Sequence, residues 1–172
     1  MKNLILTSFF LILSLSGHAY VPPQTDSFLF AEIPNLEEIL DRAEGEATVE
    51  GRAVLVTARA MIKNNDIVLG SCWDYINAIF DRAGHPQKNR VTIYKSRLQG
   101  PYVDEVLIEQ GDWLYFMNHS YNNVEHSAIF VDWSDFATKQ AVMISYAGGN
   151  QAKPARYKIY DLSSVYNIMR AR

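Results

Sequence analysis

Apolar residues recur at the spacing of an α-helix in three segments of the first half of the chain, 35–45, 54–65 and 71–84. Asn35 is placed to cap the first helix and Gly45 to end it. Ser71 and Asp74 stand three positions apart at the start of the third segment, which is the spacing of a capping box. Cys72 therefore falls in the first turn of a predicted helix.

Beyond Pro86 the pattern changes from helical spacing to the alternation of a β-strand. Five stretches rich in β-branched and aromatic residues predict strands, at 91–94, 112–117, 126–133, 141–147 and 156–162. We expect residues 163–170 to form a last short helix. Helices followed by a run of strands indicate an α+β domain with a mostly antiparallel sheet.

The first residues have the pattern of a secretion signal. Lys2 supplies the positive end, an apolar run follows from Leu4, and small residues stand at Gly17 and Ala19. We expect a signal peptide at 1–19, a single domain over 20–172, and export to the periplasm or the extracellular space. The apolar run is short for a bilayer span of roughly 20 residues, so we expect no stable membrane anchor.

Composition and charge narrow the class of partner. The chain is 48% hydrophobic and 20% charged, which is typical of a globular protein. Its 16 basic and 19 acidic residues give a net charge of -3. This balance argues against binding to nucleic acid or to an anionic membrane surface. We expect a monomer.

The chain has a single cysteine, Cys72, which is unusual in an exported protein because thiols in oxidising compartments are usually paired. The cysteine count leaves two interpretations open. Cys72 is either a small buried apolar residue or a reactive group, such as a nucleophile or one end of an intermolecular bridge. Its position at the start of a helix favours the reactive interpretation, since the helix N-terminus stabilises a thiolate.

A nucleophilic thiol needs a base, and beyond residue 20 the histidines are His85, His119 and His126. His85 follows the third helix, about 20 Å along the helix from Cys72. His119 lies in a polar turn and is expected to be exposed. His126 opens a strand on the same face as Ala128, whose small side chain would let a helix approach beside the imidazole. We expect His126 to form a reactive ion pair with Cys72.

Two motifs carry a family resemblance. The run Gly70-Ser71-Cys72-Trp73 resembles the nucleophile segment of papain-type cysteine proteases. The run Gly111-Asp112-Trp113-Leu114-Tyr115-Phe116 is similar to the Gly-Asp-Leu-x-Phe-Phe strand of the compact NlpC/P60 cell-wall peptidases. The resemblance covers roughly residues 53–160, and the order and spacing of its elements agree with that family. It implies a papain-like fold of NlpC/P60 type.

The resemblance also assigns residue roles. It implies that Cys72 is the nucleophile and His126 its base, and it aligns Ser145 with the His, Asn or Gln that orients the imidazole. Serine departs from that pattern as a shorter and weaker partner, and Asn150 is an alternative. For the oxyanion, the Cys72 N–H is one expected donor. Asp66 stands where papain-type enzymes place a Gln, which leaves Asn64 and Asn65 as the nearest candidates for the other.

The implied function is hydrolysis of an amide bond in a peptidoglycan stem peptide through a Cys–His acyl-enzyme mechanism. The sequence contains no Cys-x-x-Cys or His-x-x-x-His spacing, and we expect no metal and no cofactor. Two alternatives remain. One is a binding module of the same fold that has lost activity, and the other is an acyltransferase that uses the same Cys–His pair.

Overall fold

Three helices precede a six-stranded sheet in a computed structural model, which describes residues 33–172. The helices are α1 (Leu36–Glu46), α2 (Val49–Lys63) and α3 (Cys72–Arg82). The strands are β1 (Arg90–Lys95), β2 (Trp113–Asn118), β3 (Val124–Asp135), β4 (Gln140–Ser145), β5 (Arg156–Asp161) and β6 (Val165–Ala171). The expected signal peptide at 1–19 lies outside the described residues.

The three predicted helices are present, with some differences at their ends. Asn35 directly precedes α1, but its side chain makes no capping hydrogen bond, and Gly45 lies inside the helix rather than ending it. Helix α2 begins earlier than the apolar pattern predicts, because Thr48 caps it by accepting a hydrogen bond from the Gly51 N–H. Polar residues near a helix start carry the capping signal, which the apolar spacing alone does not contain.

The start of α3 is fixed as the sequence predicts. Ser71 and Asp74 form a capping box, in which the Ser71 N–H donates to the Asp74 carboxylate at 2.7 Å. These hydrogen bonds from Ser71 lower the pKa of Asp74, so the carboxylate stays ionised at the helix N-terminus. Cys72 is therefore the first residue of the helix.

All strand pairs are antiparallel, in the order β1-β6-β2-β3-β4-β5, which confirms the predicted α+β class. The five predicted strands are present with slightly shifted ends. The predicted helix at 163–170 is wrong, since this segment is strand β6 and pairs with both β1 and β2. Its apolar residues Val165, Ile168 and Met169 fit a helical period as well as a strand, and only the pairing decides between them.

The two faces of the sheet pack in different ways. On one face, Ile129 and Val131 of β3 join the buried residues of the three helices in one apolar cluster. On the other face, Ala128 and Phe130 belong to a second buried cluster, which contains residues of strands and loops and none from the helices. The helices therefore cover a single face of the sheet.

A close approach of two glycines brings α2 against the start of β2. Gly111 has φ +88°, and a Cβ added there would lie 2.6 Å from the Gly51 Cα. The next residue, Asp112, is fully buried and accepts hydrogen bonds from Arg170 at 2.7 and 2.8 Å. Gly111 thus lets α2 approach the sheet closely, and Asp112 joins β2 to β6. Within residues 33–172, no helix combines the length and apolarity needed to cross a membrane.

Candidate active site

A pocket of about 440 Å³ brings together the start of α3, the start of β3 and the end of β4. Cys72, His126 and Ser145 all line it, although they lie on three different elements. The sequence analysis selected these three residues as nucleophile, base and orienting group. The fold thus assembles the three side chains at one open pocket.

His126 is held by a polar partner and by two aromatic rings. Its Nε2 lies 3.0 Å from the Ser145 Oγ, so Ser145 contacts the imidazole from the position that the resemblance assigns to the orienting residue. The ring of Phe116 meets the imidazole edge-on, with the ring centroids 5.7 Å apart, and the tilted ring of Tyr160 has its centroid 5.5 Å away. These contacts fix the orientation of the ring and leave Nδ1 as the nitrogen available for proton transfer.

Tyr160 is a member of the site that the sequence analysis missed. Its hydroxyl lies 2.9 Å from the Ser145 Oγ and 3.5 Å from the His126 Nε2, which closes a three-membered polar cluster. Burial raises the pKa of Tyr160, and Cys72 makes a smaller contribution in the same direction. The available signal was the alternation along β5, which places Tyr160 on the same strand face as Lys158 and Arg156.

The imidazole of His126 is neutral at pH 7. Burial lowers its pKa to about 4, and the positive charge of Lys158 adds to the effect. Among residues 33–172, no carboxylate belongs to the hydrogen-bonded cluster of His126, Ser145 and Tyr160, so none raises the pKa of His126 there. This environment opposes the expected resting ion pair with Cys72, because an ion pair requires a protonated imidazole.

Cys72 has a hydroxyl neighbour rather than an imidazole neighbour. Its Sγ accepts a hydrogen bond from the Ser127 Oγ at 3.5 Å. Among residues 33–172, the hydrogen bonds of His126 are to Ser145 and Tyr160, and none joins it to Cys72. Cys72 and His126 therefore line one pocket without a hydrogen bond between them.

The position of the helices explains this separation. We expected a helix beside Ala128, on the face of the strand that carries His126, and this expectation is wrong. Helix α3 packs against Ile129 on the opposite face, the face of Ser127. Cys72 and His126 therefore approach the pocket from the two sides of β3, meeting at the end where the strand begins.

The loop that precedes Cys72 is clamped by the loop that follows β4. The Gly149 N–H donates to the Gly70 carbonyl at 2.8 Å. The Tyr146 hydroxyl donates to the Val68 carbonyl at 2.7 Å and accepts from the Val68 N–H at 3.1 Å. The pair Gly148-Gly149 is therefore more than a turn, because it allows two backbones to approach closely beside Cys72.

Of the three expected oxyanion donors, Cys72 lines the pocket and Asn64 and Asn65 do not. The Cys72 N–H lies in the first turn of α3, where backbone N–H groups have no acceptor within the helix. Asn64 and Asn65 follow α2, whereas Gln151 is one of the residues that line the pocket. Asp66 forms an ion pair with Arg82 at 2.5 Å. Gln151 is the better candidate for the second donor.

The remaining sequence candidates lie elsewhere. His119 is exposed in the turn after β2, with its Nδ1 2.8 Å from the Asn123 side chain. His85 contacts the backbone carbonyl of Arg172 at 3.2 Å. Asn150, the alternative orienting residue, is exposed and does not line the pocket. This leaves His126 as the histidine that can act with Cys72.

Within residues 33–172, no group of three or more His, Cys, Asp or Glu side chains is arranged to hold a metal ion. The site instead offers a thiol, a neutral imidazole and donors of hydrogen bonds. Comparison of the chain with family models, with curated proteins and with solved structures gives no match.

Proposed function

We propose that this protein is an exported cysteine hydrolase of papain-like, NlpC/P60 type, which cleaves amide bonds in peptidoglycan stem peptides. The observation that carries the proposal is the pocket shared by Cys72, His126 and Ser145, with the sulfur at the first residue of a helix. Nucleophile, base and orienting group are the three parts that covalent acyl transfer requires. The Gly-Asp strand motif and the Cys-led helix supply the link to the family.

In the proposed reaction, Nδ1 of His126 takes the proton of the Cys72 thiol as Sγ attacks the amide carbonyl carbon. A carbon–sulfur bond forms, and the negative charge on the former carbonyl oxygen is held by the Cys72 N–H and the Gln151 amide. The imidazolium then gives its proton to the leaving amine as the C–N bond breaks. Water, deprotonated by His126, releases the acyl group from sulfur.

Ser145 and Tyr160 have the role of fixing the tautomer. When Nε2 carries the proton, it donates to the Ser145 Oγ, which has a second lone pair for the hydroxyl of Tyr160. This arrangement leaves the lone pair on Nδ1, the form that a base needs. A neutral hydroxyl pair orients the ring but stabilises its charge less than a carboxylate would.

In the free protein the imidazole of His126 is neutral. The low pKa of His126, about 4, makes it a weak base in the free protein. Hydrogen bonds between catalytic groups are often long in ligand-free enzymes and tighten when substrate binds. We infer that a bound substrate brings Sγ away from Ser127 and into contact with Nδ1.

Digestion of purified cell-wall sacculi tests the proposal. The full chain is expected to release peptides whose masses show the addition of one water per cut, and Cys72→Ala is expected to release none. Ser134→Ala is the control, since it removes a small polar group from an exposed residue outside the pocket and keeps the thiol. Intact sacculi in the presence of the folded wild-type protein would overturn the hydrolase.

A binding module of the same fold is the second candidate, and one observation favours it. The Cys72 sulfur accepts a hydrogen bond from the Ser127 hydroxyl and has none with the imidazole of His126. A binding module would sediment with sacculi and leave their peptides uncut, whereas the hydrolase cuts them. An acyltransferase would instead transfer the peptide acyl group to an added amine, which the same mass analysis detects.

A further inference from the structure

Basic residues line one side of the pocket. Lys153, Arg156 and Lys158 form this basic wall, in a chain whose net charge is -3. Glu125 is the acidic residue among the described lining residues, and its carboxylate accepts a hydrogen bond from the Tyr166 hydroxyl at 2.5 Å. The charge at the pocket is therefore positive although the protein as a whole is acidic.

The basic wall lies next to the catalytic groups. Arg156, Lys158 and Tyr160 stand at every second position of β5 and therefore share one face of the strand. The ammonium of Lys158 lies 4.9 Å from the centre of the Tyr160 ring, and the Tyr160 hydroxyl is part of the cluster with Ser145 and His126. An anion held by the wall would thus lie close to the position of the scissile amide.

A cation beside a catalytic base is unfavourable unless something compensates for it. Lys158 disfavours the imidazolium that His126 must form during the reaction. An anion bound between Lys158 and the imidazole removes this penalty, since it offsets the lysine charge. The wall therefore makes chemical sense if the substrate itself supplies a negative charge.

We propose that the basic wall binds a free carboxylate of the substrate next to the scissile amide, so that the protein selects peptides that are anionic at this point. The inference rests on the proposed function, because it names the class of amide that the hydrolase takes. Lysine ammonium groups pair with carboxylates as point charges, and Arg156 supplies a planar donor. A pocket of about 440 Å³ has room for a short peptide segment.

Alkylation of Cys72 tests the charge of the pocket without requiring hydrolysis. In each alkylation the thiolate sulfur forms a bond to carbon and iodide leaves, and iodoacetate is anionic whereas iodoacetamide is neutral. We expect the ratio of the iodoacetate rate to the iodoacetamide rate to be about tenfold higher in the folded chain than in the urea-unfolded chain. High salt is expected to reduce this excess.

The double substitution Lys153→Gln with Lys158→Gln is expected to bring the ratio close to that of the unfolded chain. A matched control is Lys88→Gln with Lys95→Gln, which removes the same charge outside the pocket and is expected to keep the excess. An equal ratio in the folded and unfolded wild-type chain would overturn the basic wall as an anion site. The anion site would also be overturned if both double variants kept the high ratio of the iodoacetate rate to the iodoacetamide rate.

A matched pair of soluble stem peptides tests the substrate class. One carries free carboxylates, and in the other they are converted to carboxamides. The wild-type kcat/KM is expected to be at least about tenfold higher for the carboxylate form, and the pocket double variant is expected to lose this preference. Equal cleavage of both forms overturns the inference and leaves the hydrolase standing. Cleavage of neither form overturns the hydrolase, and the alkylation ratio then decides whether the pocket attracts anions.

Discussion

The Ser145 Oγ lies 3.0 Å from the Nε2 of His126, so a serine occupies the place beside the imidazole where a larger polar side chain is expected. The short serine side chain reaches the imidazole because Ser145 and His126 lie on the same face of neighbouring strands. Tyr160 extends the contact, with its hydroxyl 2.9 Å from the serine. The imidazole is therefore in contact with a pair of hydroxyls from two strands, which the proposed function makes the orienting group.

Replacement of Ser145 tests this pair. Ser145→Ala is expected to lower kcat about tenfold, since a net hydrogen bond contributes about 1 kcal/mol and the imidazole loses its fixed tautomer. KM is expected to change little, because Ser145 orients the base and does not bind the substrate. Steady-state kinetics on a soluble stem peptide gives both constants. An unchanged kcat in a folded variant would contradict the role.

Tyr160→Phe is the matched comparison, since it keeps the ring against Phe116 and removes the hydroxyl. A smaller loss of kcat is expected than for Ser145→Ala, because the tyrosine hydroxyl is 3.5 Å from Nε2. The double variant is expected to lose less than the sum of the two single losses, as members of one network are coupled. Full additivity would show that the two hydroxyls act independently.

The charge of Lys158 is expected to contribute to the low pKa of His126. Burial and Lys158 together lower that pKa to about 4. Lys158→Gln removes a positive charge, so the imidazolium becomes easier to form and the pKa of His126 rises. In the pH profile of kcat/KM, the rise on the acid side then moves to higher pH, because the neutral imidazole is the active form.

NMR titration of the His126 ring protons measures this shift directly in the ligand-free protein. Lys88→Gln is the control, since Lys88 lies outside the pocket, and it is expected to leave the titration unchanged. A His126 pKa that stays the same or falls in Lys158→Gln would show that the lysine does not act on the imidazole.

Gly149 is expected to be intolerant of a side chain. A Cβ at this position would lie 2.4 Å from the Val68 carbonyl oxygen and 2.8 Å from the Leu69 Cα, both in the backbone that leads to Cys72. Gly149→Ala is expected to destabilise the fold by about 1–3 kcal/mol, because the two loops must separate. Thermal and urea unfolding measure the change, and the activity is expected to fall with it.

Gly45→Ala is the matched control for this prediction. A Cβ at Gly45 meets nothing within 4 Å, and the residue lies inside α1. Alanine is expected to stabilise that helix by up to about 1 kcal/mol. If both alanine variants had the same stability as the wild type, the clamp between the two loops would not contribute to the fold.

The helices and most strands could be predicted from local signals. The capping box of Ser71 and Asp74 placed Cys72 correctly, because capping depends on residues adjacent in sequence. Strand β6 could not be recognised in this way, since its short apolar run has no unambiguous period and its identity depends on pairing with β1 and β2.

The site was predictable in its members but not in its contacts. Cys72 was selected as the lone thiol at a helix start, His126 by comparison of the histidines and Ser145 by the family resemblance, and the three line one pocket. The contact of Cys72 with Ser127 depends on which face of β3 the helices cover, and the contact of Tyr160 depends on the packing of side chains between neighbouring strands. Neither relationship is encoded by residues close together in the chain.

The measurement that tests the account most directly is the formation of a thioester on Cys72. In a single-turnover reaction with a stem peptide, rapid quenching and mass spectrometry are expected to show an acyl adduct on the peptide that contains Cys72. Cys72→Ala is expected to form none, and His126→Gln to form it at least about 100-fold more slowly. Cleavage without any Cys72 adduct, or an adduct that forms equally fast in His126→Gln, would contradict the account.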